Sequence, residues 1–340
     1  IMKVMQIQDE WGPEHIKLAQ RPDPEPSPGE IIIDMKATAI NPRDLILTQR
    51  GYGRHSGELP LIPLADGAGY VSAVGEGATK FQIGEMVCPI YNRNWLTGTS
   101  DAAHAGGSHG GPIDGTQCEK MLIPESAVVR APSYMTPKQA ATLTVAALTS
   151  WNAVVEQGQA KAGNVILLQG TGGVSLFALQ FAKMVGAEVI LTSSSDEKLA
   201  RARELGADHL INYRHNPDWH RTAIEITNGR GVDQIVEIGG TGTIDRSIKA
   251  VRPSGTLSLI GVLAGVAGEI NLGRIVTQNI RLQGVTVGSR KMFENMIQAL
   301  EINPINPVID ETATFAFEDV GQALAALPDG KHFGKVVCEF

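Results

Sequence analysis

Cysteine is scarce in this chain: Cys88, Cys118 and Cys338 lie far apart among 340 residues. That excludes a disulfide framework, and no C-x-x-C pair offers the spacing of a structural metal site. Long apolar runs are missing as well. None reaches the roughly 18 residues that would cross a membrane, and nothing ahead of the β-prone run Lys3–Ile7 has the form of a signal peptide. Met2 reads as the natural start, with Ile1 as a remnant before it. Positive charge is in deficit: 29 Lys and Arg against 36 Asp and Glu give −7, so there is no electrostatic case for nucleic acid or a membrane surface. The expectation is a cytoplasmic globular protein acting on a small molecule. With 43% hydrophobic and 19% charged residues, the length suffices for two domains with separate cores.

Glycine, by contrast, is plentiful at 38 residues, and one cluster of it organises the rest. Val165-Ile166-Leu167-Leu168 reads as a buried strand, followed by Gln169-Gly170-Thr171-Gly172-Gly173-Val174-Ser175. Leu176, Leu179, Ala182 and Val185 then recur at helical spacing, Gly186 closes the helix, and Glu188–Thr192 reads as a second strand. In a strand–turn–helix–strand context, glycines make the turn tight and let backbone N–H groups approach a pyrophosphate at the helix N-terminus. Ser175 stands where the third glycine of G-x-G-x-x-G would be, and a small residue there still permits close packing. A dinucleotide is expected here.

The second strand selects the dinucleotide. NAD sites carry an acid about 20 residues past the glycines to hold the ribose 2′-hydroxyl. Here Thr192-Ser193-Ser194-Ser195 ends the strand, and Asp196 and Glu197 read as the first turn of a helix that Ser194 and Glu197 box. Hydroxyls with Lys198 nearby suit a 2′-phosphate, so NADP (NADPH) is the expected cofactor.

Around this unit, residues 2–90 read as β-rich, with strands at Lys3–Ile7, Ile16–Ala19, Ile31–Ala39, Gly69–Val74 and Glu85–Ile90 and a short helix over Asp44–Gln49. Residues 91–116 are irregular, and His104 and His109 within them read as solvated loop histidines, since no carboxylate or cysteine keeps ligand spacing with them. Thr136–Gly158 suggests two consecutive helices. Beyond the glycine turn, Asp208–Asn212, Asp233–Ile238, Thr256–Ile260 and Ile280–Val287 continue a six-stranded doubly wound parallel sheet, with helices near Trp219–Asn228 and Ile244–Val251. Phe293–Leu300 and Val320–Leu327 read as helices, and Thr312–Phe317 and Lys335–Phe340 as strands that complete the first domain.

Taken together, Pro28-Gly29-Glu30, Asn41-Pro42-Arg43-Asp44, Gly67-x-Gly69-x-Val71-x-x-Val74-Gly75, Leu148-Thr149-Ser150-Trp151, Leu205-Gly206-Ala207-Asp208 and Gly334-Lys335-Val336-Val337 resemble the medium-chain dehydrogenase/reductase superfamily along nearly the whole chain. The resemblance implies an α/β protein: a GroES-like β domain over 1–146 and 289–340, and a Rossmann NAD(P)-binding domain over 147–288. It implies an NAD(P)H-dependent oxidoreductase of the alcohol dehydrogenase-like and quinone oxidoreductase-like kind, and a homodimer paired through Ile280–Val287.

Zinc members of that superfamily have three catalytic ligands, and here those slots fall on Asn41, Ala65 and Val145. Their four-cysteine structural lobe would fall within 91–118, where only Cys118 occurs. Zn²⁺ needs three protein ligands and a water for catalysis, or four for structure, so no metal is expected. Asn41 and Tyr52 remain as hydrogen-bond donors to a substrate oxygen; Asp44 and Asp66 are polar candidates that could equally be structural partners. The hydroxyl-relay position falls on Arg43, which cannot relay a proton.

The resemblance places Thr149, Gly170, Thr171, Gly172, Gly173, Val174, Ser193, Ser194, Lys198 and Tyr213 on the adenosine and pyrophosphate side of the cofactor. Gly239, Ile260, Gly261, Val262, Gly288, Ser289 and Lys335 fall on its nicotinamide half or second phosphate. Two functions follow from the sequence: hydride transfer between NADPH and a small carbonyl, enone, quinone or alcohol, or a cofactor-binding structural or sensory protein with little turnover.

Overall fold

The strand Glu30–Ile40 is apolar on both faces (EIIIDMKATAI), which suits only a central position with sheet on either side. In the computed structural model, which describes residues 1–340, that is where it lies. The chain forms two compact units, Ile1–Leu148 with Gly288–Phe340, and Thr149–Val287.

The first unit begins with β1 (Met2–Ile7) and β2 (Ile16–Arg21), an antiparallel pair, then β3 (Glu30–Ile40), β4 (Asp66–Val74), β5 (Met86–Pro89), β6 (Lys120–Pro124) and β7 (Val128–Arg130). The second unit carries β8 (Val165–Gln169), β9 (Glu188–Ser193), β10 (His209–Asn212), β11 (Val232–Glu237), β12 (Val251–Leu259) and β13 (Arg281–Gly284). The chain then returns to the first unit with β14 (Ile309–Ala316) and β15 (Lys335–Glu339). There the seven-stranded sheet runs β14-β15-β3-β4-β5-β7, with β6 also paired to β3. Its core gathers Met5, Ile7, Ile40, Leu47 and Leu64 with Val320, Leu324 and Val336, so early and late segments share one interior.

The sheet of the second unit runs β10-β9-β8-β11-β12-β13 with every pair parallel. This is the doubly wound order that reverses direction between the first strand and the fourth, β8 and β11 here. β8 and β9 are buried almost throughout, as strands covered on both faces must be. The helix Gly173–Met184 packs Leu176, Phe177, Leu179 and Phe181 inward. Trp151 meets the Phe181 ring edge-on at 5.4 Å.

Several elements differ from the sequence reading. β6 and β7 are short and were not anticipated. The stretch expected as two helices has one turn at Pro137–Ala140 and then a continuous helical run from Leu143 to Gln157. That run is locally widened, with Leu148 N–H bonded to the Leu143 carbonyl and Gly158 N–H to that of Ala153. The sixth strand shrinks from Ile280–Val287 to Arg281–Gly284, and Val285 and Val287 beyond it are buried.

Candidate active site

In the second unit, the residues expected to hold a cofactor line the carboxyl ends of the parallel strands, where open α/β sheets bind ligands. Gly170 follows β8 with φ +75°, a conformation that favours glycine. A Cβ added at Gly172 would meet nothing within 4 Å, so the turn leaves open room above its backbone. Gly172 caps the helix Gly173–Met184 without any side-chain bond to its first N–H groups, which leaves these donors for an anion. Ser175 is buried, and its hydroxyl donates to the Gln169 carbonyl at 2.5 Å, tying the turn to the strand. The serine in the third glycine slot therefore fits without a glycine. Thr171 and Thr149 are buried, and Val174 accepts the Ser150 hydroxyl through its carbonyl at 2.7 Å.

At the end of β9, Ser193 Oγ accepts the Ser195 N–H at 3.2 Å. The cap of the next helix, Asp196–Glu204, is Ser195, which accepts the Lys198 N–H at 3.2 Å. The cap thus lies one residue beyond the expected Ser194. Tyr213 follows β10, bonds the Ser193 carbonyl through its N–H at 3.1 Å and leaves its side chain exposed.

Sequence reasoning missed the group that organises the switch between β8 and β11. The Glu237 carboxylate is fully buried and meets five neutral donors. Oε1 accepts the N–H of Gly239 at 2.9 Å and of Gly240 at 3.1 Å, and the Thr243 hydroxyl. Oε2 accepts Gln169 Nε2 at 2.7 Å and the Ser247 hydroxyl, while Gln169 Oε1 accepts the Ile238 N–H at 3.1 Å. Ile260 and Gly261 turn their N–H groups onto the Glu237 carbonyl at 3.0 and 3.3 Å, and Val262 stays exposed beside them. The Gly239 loop is shaped by this one carboxylate.

In the first unit, β3 ends at Ile40 and Asn41 opens the helix Pro42–Thr48, with Pro42 at its first position. Asp44 Oδ2 accepts the Asn41 N–H at 2.8 Å, and its Oδ1 accepts Arg43 Nη1 at 3.1 Å. Asp44 is buried, and that burial pushes its carboxyl above the ordinary aspartate range against the pull of Arg43. It braces the helix start with both carboxylate oxygens engaged.

The residues at the three zinc-ligand slots serve another arrangement. Asn41 Nδ2 donates to Asp66 Oδ2 at 3.0 Å, and the Val145 N–H donates to Asp66 Oδ1 at 2.8 Å. Lys335 inserts its ammonium between them, 2.6 Å from Asn41 Oδ1, 2.9 Å from Asp66 Oδ2 and 2.9 Å from the Ile40 carbonyl. An ammonium has three N–H donors, and all three are matched. Lys335, expected on the cofactor side, is thus a buried structural cation with no donor left for a phosphate. Asp66, expected among catalytic groups, is buried with both oxygens engaged. Asn41 retains at most one N–H for anything else. Ala65 offers no ligand atom, and no three His, Cys, Asp or Glu side chains cluster closely enough to hold a metal ion. The residues present do not fit zinc.

Gly288 and Ser289 fall in the first unit. Ser289 is buried and caps the helix Arg290–Ile302, accepting the Met292 N–H at 3.2 Å.

Tyr52 behaves differently from the other catalytic candidates. It is 42% exposed and lines a cavity of about 330 Å³ together with Arg43, His55, Tyr91 and His104. Burial of its hydroxyl raises its pKa, and the neighbouring Arg43 pulls the other way. The 91–116 segment around this cavity is tightly built. Asn92 Nδ2 donates to the His104 carbonyl at 2.9 Å, and the Trp95 and His104 rings stack with centroids 5.7 Å apart. His109, expected to be solvated, is buried, with Nδ1 2.8 Å from the Ile90 carbonyl. A carbonyl only accepts, so Nδ1 carries the proton. Burial, with Arg93 and Arg43 close by, holds this imidazole down at about 4 and therefore neutral.

Known proteins share the sequence families and fold of this chain. Residues 27–133 match the alcohol dehydrogenase GroES-like domain, and residues 173–301 match the zinc-binding dehydrogenase family. A zinc-type alcohol dehydrogenase-like protein of Schizosaccharomyces pombe is 38% identical over 335 residues, which cover 97% of this chain and 95% of that protein. The structure of an NAD-dependent alcohol dehydrogenase superposes with a TM-score of 0.90 at 30% identity, over 100% of both chains. A quinone oxidoreductase of Pseudomonas syringae pv. tomato DC3000 gives a TM-score of 0.83 at 26% identity, again over 100% of both.

Proposed function

This chain belongs to the medium-chain dehydrogenase/reductase superfamily and is an oxidoreductase; we propose that it reduces small conjugated carbonyls or quinones with NADPH and without zinc. The observation that carries this reading is the Lys335 ammonium, bonded to Asn41 and Asp66 among the slots where zinc members keep their ligands. A fixed cation there repels a second one, and a neutral amide, a methyl and an isopropyl side chain give Zn²⁺ nothing to bind.

When bound, NADPH supplies the hydride. The open backbone at Gly170–Val174 suits its pyrophosphate, and Ser193, Ser194, Lys198 and Tyr213, at and just beyond the carboxyl ends of β9 and β10, are the residues proposed to read its 2′-phosphate. One structural relative is NAD-dependent by name, so the choice of NADPH rests on this chain's own residues. The charge that gathers on the substrate oxygen then needs hydrogen-bond donors. Loss of one good oxyanion donor costs about 2.7–4 kcal/mol, and a saturated ketone concentrates that charge on a single alkoxide. A conjugated acceptor spreads it, so a site with Tyr52 and little left of the Asn41 amide favours enones and quinones.

The test is side-by-side kcat/KM on matched unsaturated and saturated ketones and a quinone, before and after chelator treatment, with elemental analysis of the protein. The expected outcome is faster turnover of the conjugated acceptors, no effect of chelator and no stoichiometric zinc. A preference for the saturated ketone, or zinc required for turnover, overturns the proposal. The Tyr52→Phe variant reports on the donor: a large loss in kcat assigns it, and unchanged turnover removes it from the site.

A further inference from the structure

Arg43 cannot relay protons, but its geometry gives it a positive role. The guanidinium is held from three directions. Nη1 donates to Asp44 Oδ1 at 3.1 Å and to the His109 carbonyl at 3.2 Å, and Nη2 donates to the Gly111 carbonyl at 3.4 Å. The Tyr91 ring lies beneath it, 5.2 Å from centroid to guanidinium carbon. The side chain is only 13% exposed, so its plane is fixed before any ligand arrives.

A guanidinium has five N–H groups, and these contacts use three. With the Nη1–Nη2 end turned toward residues 109–111, the edge formed by Nε and the remaining Nη2 proton is left over. Nε is not sealed away as a buried orphan, and Arg43 lines the 330 Å³ cavity together with Tyr52. The free edge of an arginine matches the two oxygens of a carboxylate. Competing negative charge on the cavity wall is small. Asp101 lines the rim, but its Oδ1 accepts the Ala103 N–H at 2.7 Å and lies 3.9 Å from His104 Nε2. Asp44 braces the opposite edge of the guanidinium from within the protein. The neutral His109 imidazole adds no charge of its own.

We propose that the cavity beside Arg43 is an anion site that holds a substrate carboxylate on the Nε–Nη2 edge, with Tyr52 as a third donor. The acceptor is then an unsaturated or oxo acid rather than a neutral carbonyl compound. This rests on the reading of the chain as a reductase but deepens it, making Arg43 a specificity-determining residue.

The test separates the two. Full-length protein without nicotinamide is titrated calorimetrically with sodium benzoate and with benzamide, its neutral counterpart of the same size. Benzoate is expected to bind, and a charge-assisted contact makes it tighter than benzamide by roughly ten- to hundredfold. Arg43→Gln removes that preference, and Arg43→Lys, which keeps the charge but loses the fork, keeps a smaller one. If Arg43→Gln fails to fold, judged by circular dichroism, Arg43→Lys and Tyr52→Phe carry the measurement alone. Absence of benzoate binding, equal binding of benzamide, or a preference unchanged in every folded variant overturns the site. In the turnover arm, an unsaturated acid should show a lower KM than its methyl ester, and Arg43→Lys should narrow that ratio through KM rather than kcat. Failure of every acceptor to consume NADPH would sink the reductase reading while leaving the benzoate titration to judge the site.

Discussion

Lys335 Nζ lies 2.9 Å from Asp66 Oδ2, a buried ion pair whose members are 269 residues apart in sequence. Both side chains are almost completely removed from solvent, so neither charge survives comfortably alone. Lys335→Met leaves a buried carboxylate with only amide donors and should lower unfolding stability by about 3–5 kcal/mol. Urea denaturation at neutral pH measures this. The double variant Lys335→Met with Asp66→Leu should recover part of the loss, and a single variant as stable as the parent would contradict the pairing.

NADPH should bind more tightly than NADH. The residues involved, Ser193, Ser194 and Lys198, offer hydroxyls and a cation and no acid. A charge-assisted contact to the 2′-phosphate contributes roughly 1.5–3 kcal/mol, one to two decades in affinity. Fluorescence titration with both cofactors checks it, and Ser193→Asp should shift the preference toward NADH.

Much of the fold was legible in the sequence, because local patterns dictated it. The apolar run Val165–Leu168, the glycines after it and the periodic leucines of the next helix depend on near neighbours alone. The β6 and β7 strands are not legible, since they are only five and three residues long, and pairing with β3 and β5 makes them strands. The emptiness of the zinc slots could be read from residue types. What fills them could not. Lys335 sits in an ordinary strand, and nothing near it in sequence announces Asp66. His109 was misread for a similar reason: burial is conferred by Ile90 and the folded 91–116 segment, not by the glycine-rich stretch that contains it.

His109 makes stability depend on pH in a defined window. Its folded pKa of about 4 lies below the ordinary value of 6.5, so the unfolded chain binds the proton first as pH falls. The stabilisation is complete above about 6.5 and is lost progressively toward 4, amounting to about 3 kcal/mol over that range. Urea midpoints should therefore drop between pH 7.5 and 4.5, and His109→Gln should flatten the slope. A parent and a variant with parallel profiles would assign the pH dependence elsewhere.

Glu237→Gln should weaken NADPH binding more than it weakens the fold. The carboxylate accepts from five donors, and an amide nitrogen in place of one oxygen faces donors with a donor. Rearrangement of the 238–243 loop is expected to cost about tenfold in cofactor affinity, in line with one or two hydrogen bonds. Calorimetric titration alongside thermal unfolding separates the two effects. Unchanged affinity with a lowered Tm would assign Glu237 to stability alone.

The protein should be a dimer at micromolar concentration by light scattering. β13 is the edge of the second unit's sheet and presents unpaired backbone groups along Arg281–Gly284. The Val285 N–H bonds the Leu259 carbonyl of β12, so by strand alternation the Gly284 N–H faces outward, and with open room for a side chain there a proline at Gly284 is a mild change for the monomer. Gly284→Pro should shift the population toward monomer, and a parent that is monomeric throughout would remove this edge as an interface.

The position of β15 between β14 and β3 sets an order of events during synthesis. Asp66 leaves the ribosome 269 residues ahead of the lysine that neutralises it. All six strands of the parallel sheet emerge in that interval, so the nucleotide-binding half can close while the first half still lacks an interior strand. Until Lys335 arrives, the nascent first sheet holds an unmatched carboxylate and an open strand edge at β3, a state suited to capture by chaperones. A ribosome stalled shortly before Lys335 should therefore display a protease-resistant Thr149–Val287 segment beside a protease-sensitive amino-terminal one.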